Sequence, residues 1–482
     1  MDLNFLLNKA IKLHLKKDFD RAEKIYKKII KSNPDNIIAN SNLGSLLNAS
    51  KKFEEALDYL DRSLKLKPDF IDALNNKGNA MKGLKRYNEA LEIYEEVLKI
   101  NPLFLDSLNN KANCLKTLKK YEEAITIYNK AININENFVE AIYNQGICYY
   151  LLGNFSSAIE CNEKAIKLNP NFKEGHYNLG LLQLTVGNYA EGWKNYEWRK
   201  IQNNQKTEYP IQNKEKEWLG DHNIKNKIIY IIKEQGLGDY IHYCRYLPMV
   251  EALGAKIILD TPDVLKPLID NMKINYTHTS ELKKINFDHY CYICSLPYVF
   301  NSNLNNIPNK VPYFSTSNEE INYWKKKIFK TPRKKIGLKW SGSKAHKNDK
   351  NRSLKLNEIL SLFELPFEFY SLDFDLSEED KQIIKKIPNL NFYGEDLLGL
   401  ERTAGLIHNL DLIISVDTSM AHLSGALGKE VWILLHEIPD YRWLLDTDKT
   451  IWYPSAKLFR KKKFEKWENL IQIIKKNLLK FK

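Results

Sequence analysis

Four residues in one short stretch have the types and spacing of an anion site: Asp417, Thr418, Ser419 and His422 within DLIISVDTSMAHLSGALG. Leu412, Ile413, Ile414 and Val416 make an apolar run without alternation, the pattern of a strand buried on both faces of a parallel sheet. Asp417 ends that strand. Thr418 or Ser419 then caps a helix that carries Met420, Leu423, Ala426 and Leu427 inward. Such a turn leaves free N–H groups and a positive helix end at the sheet edge where ligands bind, and His422 is placed to donate to the same anion. The alternative is an ordinary strand-to-helix turn with a capping threonine and a satisfied histidine.

Two further stretches carry compatible chemistry. In KIIYIIKEQGLGDYIHYCRYLPMVEAL a buried strand runs into a glycine turn, and a helix comes next with Ile241, Cys244, Leu247 and Val250 on its inner face. Gly236 and Gly238 allow close backbone approach to a ligand, and Asp239 stands at the helix start, either as a cap or as a carboxylate able to take a proton from an acceptor hydroxyl. The turn has neither a third glycine in register nor GK[ST], so it is no dinucleotide fingerprint and no P-loop. The loop WSGSKAHKNDKNRS, residues 340 to 353, follows the strand KKIGLKW and combines small residues with Lys344, His346, Lys347 and Arg352. Those cations can neutralise phosphate, or simply be solvated. Two anion-friendly loops on one sheet edge suit a diphosphate.

The elements that position these stretches are β-α alternations. AKIILD, a helix near Pro262 to Asn271 and strands near Ile274 and Phe287 complete a first half-domain, expected over residues 227–318. KKIGLKW, FEFYSL, DLIISV and EVWILL supply a second, over 319–482, with a last helix from Phe464 to Leu479 packed on it. The segment 207–226 is polar, is broken by Pro210, carries one anchoring aromatic in Trp218, and reads as a linker.

Residues 1–206 repeat instead. Pro34, Pro68, Pro102 and Pro170 lie on a lattice of thirty-four residues, with Glu136 in the empty slot. Gly44, Gly78, Ala112, Gly146 and Gly180 keep the same step. So do Phe19, Phe53, Tyr87, Tyr121, Phe155 and Tyr189, and Ala22, Ala56, Ala90, Ala124 and Ala158. Small residues recur where helices must approach and proline where the second helix must stop. The pattern resembles the tetratricopeptide repeat, six units of it, closest in ALNNKGNAMKGLKRYNEALEIYEEVLKINP. The last unit has Gly192 for alanine and adds Trp193 and Trp198, as a cap docking on the next domain would. Asn42, Asn76, Asn110, Asn144 and Asn178 share one helix face. Their amides can pair with both N–H and C=O of an extended peptide, or they reflect the composition of the repeat alone.

Composition narrows the classes. The net charge of +13 comes from lysine spread along a chain of 482 residues, so a nucleic-acid partner is not expected. The densest basic run, Arg460 to Lys463, reads as a solvated loop. No apolar stretch is long enough for a membrane span, no signal peptide is expected, and six scattered cysteines fit a reducing cytoplasm. Cys291 and Cys294 form a CxxC within a strand-like run and read as core thiols, since a zinc site needs a second pair.

The segments GLGDYIHYCRYLP, GLKWSGSKAHKNDKNRS, ISVDTSMAHLSGALGK and PDYRWLLDTDKTIWYPSAKLFR resemble the glycosyltransferase-like part of bacterial tetratricopeptide proteins related to the heptosyltransferases. The asparagine series and the domain layout are similar to those of O-GlcNAc transferases. The resemblance implies an α superhelix followed by an α/β GT-B unit of two Rossmann-like halves. It implies a metal-independent transfer of sugar from a nucleotide-diphosphate donor to a protein or peptide held by the repeats, without a resident cofactor. Under it Asp239 is the base. Thr418, Ser419, His422, Arg352, Lys344, Gly236 and Gly238 meet the donor, and Asp417 contacts sugar or ribose. The competing expectation is a non-catalytic adaptor whose repeats bind peptides and whose second part has lost its chemistry.

Overall fold

A computed structural model describes residues 3–202, 214–346, 348–463 and 465–481. Pro210 and the first part of the expected linker lie outside these residues, as do Lys347 and Phe464. The chain divides into two compact units, Met1–Gly175 and His176–Lys482, so the division falls ahead of the boundary expected near residue 206. Among the described residues no helix is long and apolar enough to cross a membrane.

The first unit is a series of helix hairpins, such as Ile71–Gly83 with Tyr87–Ile100 and Leu105–Thr117 with Tyr121–Ile134. The glycine lattice works by contact. A Cβ on Gly78 would lie 2.5 Å from the Tyr94 ring and one on Gly44 2.5 Å from Leu60, so paired helices close only because those positions lack a side chain. The turns inside the hairpins keep the same step with a different chemistry. Lys17, Lys51, Lys85 and Lys119 all have φ between 61° and 64°, and Gly153 and Gly187 take the equivalent places. A left-handed residue after a helix favours glycine, because a Cβ there meets the neighbouring carbonyl. Lys51→Gly and Lys85→Gly are each expected to raise stability by about 0.5–1 kcal/mol. Denaturant midpoints of the intact chain check this: unchanged or lowered midpoints would show that the lysine side chains hold these turns.

The second unit begins with the last repeat and continues into two parallel sheets. Helix Tyr189–Tyr196 buries Trp193 to 2% exposure, and the indole donates to Ser302 O at 3.0 Å. Its ring meets Tyr441 and Trp452 edge-on, so the degenerate repeat is built into the α/β core. Trp218 is likewise buried, with its backbone N–H donating to Tyr290 O.

The first sheet contains β1 (Ile228–Ile232), β2 (Lys256–Leu259), β3 (Tyr276–His278) and β4 (His289–Tyr292) in the order β3-β2-β1-β4. The second contains β5 (Lys335–Lys339), β6 (Glu368–Ser371), β7 (Leu390–Asn391), β8 (Leu412–Val416), β9 (Val431–Leu435) and β10 (Ala456–Arg460). Its order is β10-β9-β8-β5-β6-β7, all parallel. Counted from its own first strand and read from the β7 edge, that sheet runs 3-2-1-4-5-6, the order of doubly wound sheets, with the switch point between β5 and β8. β8 and β9 are buried along their whole length, as their unbroken apolar runs require.

Several local expectations change. The helix expected from Tyr240 onward breaks into Leu237–Tyr243, a 3₁₀ turn and Leu247–Ala252, because Pro248 can sit only in the first turn of a new helix. β7 and β10 were not expected. Arg460, placed in a solvated loop by the sequence, ends β10 and donates to Thr447 O at 2.8 Å and Trp443 O at 2.6 Å. The final helix runs Trp467–Leu478 and buries Leu470, Ile471, Ile474 and Leu478. Cys291 and Cys294 are fully buried thiols.

Candidate functional site

The carboxyl edges of the two sheets face each other within the second unit. Helix Leu237–Tyr243, which follows β1, packs its first turn against the first turn of helix Ser419–Ala426, which follows β8. Gly238 makes that possible. A Cβ there would lie 3.1 Å from the His422 ring and 3.5 Å from Ser419 Cα, so its missing side chain admits a neighbouring helix rather than a ligand. Helix Ser419–Ala426 is consequently buried on both faces, not on one.

Asp239 occupies the third position of its helix. Its Oδ2 accepts from Gly236 N–H at 2.9 Å, and its Oδ1 forms an ion pair with Arg442, 203 residues away in the other half. Arg442 lies in the 3₁₀ turn Tyr441–Trp443 and is held from the other side by Asp440 Oδ1, at 2.8 Å from its Nη1 and 3.0 Å from its backbone N. Tyr441 supports the guanidinium at 4.4 Å from the ring centroid and Tyr243 at 5.6 Å.

The basic loop reaches the same place. Arg352 Nη1 donates to Asp417 O at 2.9 Å, and the guanidinium lies over Gly342, where a Cβ would come within 2.7 Å of Nη2. Gly342 N–H donates to Ser353 Oγ, which in turn donates to Asp349. Arg352 Nε is buried without a hydrogen-bond acceptor, and Asp349 Oδ1 stands 3.6 Å from it. Lys344 is exposed and makes no ion pair among the described residues. Thr418 holds the N-cap position without a capping bond from its side chain; its Oγ1 is 3.3 Å from Ser415 Oγ. The first N–H groups of helix Ser419–Ala426 are therefore not satisfied by the threonine hydroxyl.

His422 is 5% exposed, stacks on Trp443 at 5.3 Å and places Nδ1 3.0 Å from Tyr453 Oη. Burial, with Arg442, Arg245 and Arg352 nearby, pushes the imidazole well below its usual pKa. It can give a hydrogen bond but no positive charge. His242, fully buried, shares the Tyr453 hydroxyl at 3.2 Å and is held neutral by burial and by neighbouring Arg245 and Arg442. Arg245 donates to Trp452 O at 2.6 Å and to Tyr313 Oη at 3.2 Å, closing the junction behind the two histidines.

Burial and the Asp440 carboxylate push Asp417 up to about 6, while Trp443, Arg442 and Arg352 oppose the shift only in part. An acid raised in the folded state is unpenalised below its unfolded value of 3.8 and costs stability as pH rises through about 6. Asp417→Asn is therefore expected to leave stability unchanged below pH 4 and to raise it by about 2–3 kcal/mol above pH 7. Melting curves across that range check the window, and a variant less stable at pH 8 would contradict it.

Asp239, Arg352, Asp417, Thr418, Ser419 and His422 thus converge, with Gly236 beside them. The sequence did not single out Asp440, Arg442, Trp443 and Tyr453. For the first three the signal was present: PDYRWLLD follows the buried run EVWILL and so had to leave the sheet at the same edge, whereas Tyr453 stands just before β10.

In the first unit the asparagine face is half-buried, and it is already partly paired. Lys82 donates to Asn110 Oδ1 at 2.8 Å, Lys116 to Asn144 Oδ1 at 2.6 Å, and Asn48 to the backbone O of Asn76 at 2.8 Å. The amide oxygens of Asn110 and Asn144 are thus shared with lysines whose pKa burial lowers. Asn42 is also half-buried, and Asn178 belongs to the second unit.

Comparison with known proteins identifies the first unit. Residues 13–76, 69–137 and 139–172 each match a tetratricopeptide repeat model. The amino-terminal part of the chain is a tetratricopeptide array, a class of structure suited to protein or peptide partners. A curated relative, Protein FlbA of Caulobacter vibrioides, is 25% identical over 287 residues, covering 52% of this chain and 46% of its own length. The chain therefore spans about half of that relative. Among solved structures, PilW, a type IV pilus biogenesis factor, is 17% identical with a TM-score of 0.40, over 42% of this chain and 94% of its own. MamA of Desulfovibrio magneticus RS-1 is 21% identical with a TM-score of 0.33, over 36% and 98%.

Proposed function

We propose that the second unit is a metal-independent glycosyltransferase of the GT-B type, taking a nucleotide-diphosphate sugar in the crevice between its two sheets. The observation that supports this most is that at facing sheet edges Asp239 pairs with Arg442 while Arg352 binds Asp417 O beside the amino end of helix Ser419–Ala426. The helix end, Ser419 and Arg352 would hold the diphosphate, with Lys344 as an exposed counter-charge and a hydrogen bond from neutral His422. Asp417, raised towards neutrality, suits a sugar or ribose hydroxyl better than a phosphate. Asp239 would take the acceptor proton. The acceptor would be a protein or peptide delivered by the repeats, and the reaction needs no resident cofactor.

A second reading, a non-catalytic adaptor, is favoured by one observation. The Asp239–Arg442 pair ties up the proposed base and clasps the halves together, which is what a purely structural junction would do. Release of nucleoside diphosphate from a panel of nucleotide sugars by the intact chain separates the two. Transferase chemistry releases it from one donor class above the uncatalysed rate, and an adaptor releases none from any.

A further inference from the structure

The least settled group in the crevice is Arg442. Its side chain is 7% exposed, and of its three guanidinium nitrogens one pairs with Asp239, one with Asp440, and Nε is buried without an acceptor. A buried donor left unpaired is costly and marks a place where a further acceptor would be welcome. Arg352 Nε, on the other loop, also lacks a hydrogen-bond acceptor. The two guanidiniums face four carboxylates: Asp349 lies beside Arg352, and Asp239, Asp417 and Asp440 share one electrostatic neighbourhood around Arg442.

Such a site cannot accept a diphosphate without changing partners. Arg442 is already engaged by Asp239 and Asp440 and Arg352 by Asp349, and fresh negative charge would meet like charge there. The carboxylate best able to yield is Asp239. Asp440 shares a turn with Arg442 and binds both its side chain and its backbone N–H, so that pairing is local and travels with the arginine. Asp239 comes from the other half of the unit and keeps the Gly236 N–H on Oδ2 when Oδ1 is released. Oδ1 is also the oxygen that an acceptor hydroxyl would need.

We infer that Arg442 is an exchangeable positioning residue: it holds Asp239 until the donor binds and then passes to the donor diphosphate, which frees Asp239 Oδ1 for the acceptor. This rests on the transferase reading and adds to it an order of events, donor before acceptor. Tyr441 and Tyr243, stacked on the guanidinium, keep it in the crevice while its anionic partner changes.

Competition gives the test, because removing a competitor strengthens the ligand it competes with. Calorimetric titrations with uridine, adenosine, guanosine and cytidine diphosphates would be made on the full chain, on D239N, on R442Q and on R442K, with melting curves to verify folding. The side chain introduced in D239N can still accept from Gly236 N–H, so the helix start survives. Expected are about tenfold tighter binding of the cognate diphosphate by D239N and at least tenfold weaker binding by R442Q. R442K, with charge but no planar fork, should lie between wild type and R442Q, and it carries the comparison if R442Q does not fold. Unchanged or weaker binding by D239N, with wild type binding normally, overturns the exchange and leaves a structural clasp. No binding by wild type or any variant overturns the transferase reading itself, and this inference with it.

Discussion

Asp239→Asn is expected to lower turnover by about 10²–10⁴-fold, the usual contribution of a positioned general base. The loss should fall on kcat. Asparagine is nearly the shape of aspartate and keeps the hydrogen bond from Gly236 N–H, so the helix start and the packing of Gly238 on His422 should persist. What it cannot do is receive a proton or hold Arg442 by charge. The first deficiency slows chemistry; the second leaves Arg442 free for the donor, so KM for the nucleotide sugar should fall or stay level. Steady-state release of nucleoside diphosphate by D239N and wild type measures both quantities. Equal kcat values would remove Asp239 from the chemistry, and a large rise in KM with kcat intact would make it a donor-binding residue.

Arg199→Ala should destabilise the second unit by about 3–5 kcal/mol, the cost of leaving buried carboxylates without their cation. Arg199 is fully buried. It donates to Glu234 through Nε at 3.0 Å and Nη2 at 2.6 Å, to Glu197 at 2.6 Å and to Ser295 Oγ at 2.7 Å. Glu234 leaves the end of β1 and also accepts from Cys294 N–H, after β4. One guanidinium therefore joins the last repeat to the carboxyl ends of β1 and its neighbour β4, immediately before the glycine turn that carries Asp239. The double change Arg199→Met with Glu234→Gln should recover much of the loss, since Glu197 retains Lys200 at 2.7 Å. Thermal and denaturant unfolding followed by tryptophan fluorescence report on this unit through Trp193 and Trp218. A single variant as stable as wild type would show that water enters the network and replaces the arginine.

The parts legible in the sequence were those with a period or a local chemical signature. The thirty-four-residue lattice carried the repeats because each hairpin needs the same small residue opposite the same bulky one, as at Gly78 and Tyr94. The run before Asp417 carried a doubly buried strand, and the run before Asp239 carried another. Parallel strands put both loops at carboxyl edges, so the meeting of Arg352 with Asp417 followed from topology. The pairing of Asp239 with Arg442 was not legible, because 203 residues separate them and no local pattern records which cation meets which carboxylate. The same holds for His242 and Tyr453, 211 residues apart. Gly238 shows the subtler failure. Its composition announced a close approach but not of what, and a helix rather than a ligand fills the space. Pro248 was a local signal passed over within an otherwise helical pattern.

The proposal that the crevice receives a nucleotide-sugar diphosphate is tested most directly by thermal unfolding of the intact chain with nucleoside diphosphates and nucleotide sugars, in wild type and in Arg352→Ala. A ligand bound only by the native state, at a hundred times its dissociation constant, adds about 2.7 kcal/mol. Stabilisation by one nucleotide class, lost when Arg352 is removed, is the expected result. An unfolding curve that no nucleotide shifts, or one shifted equally in Arg352→Ala, would contradict it and leave the second unit as the folded base of a peptide-binding array.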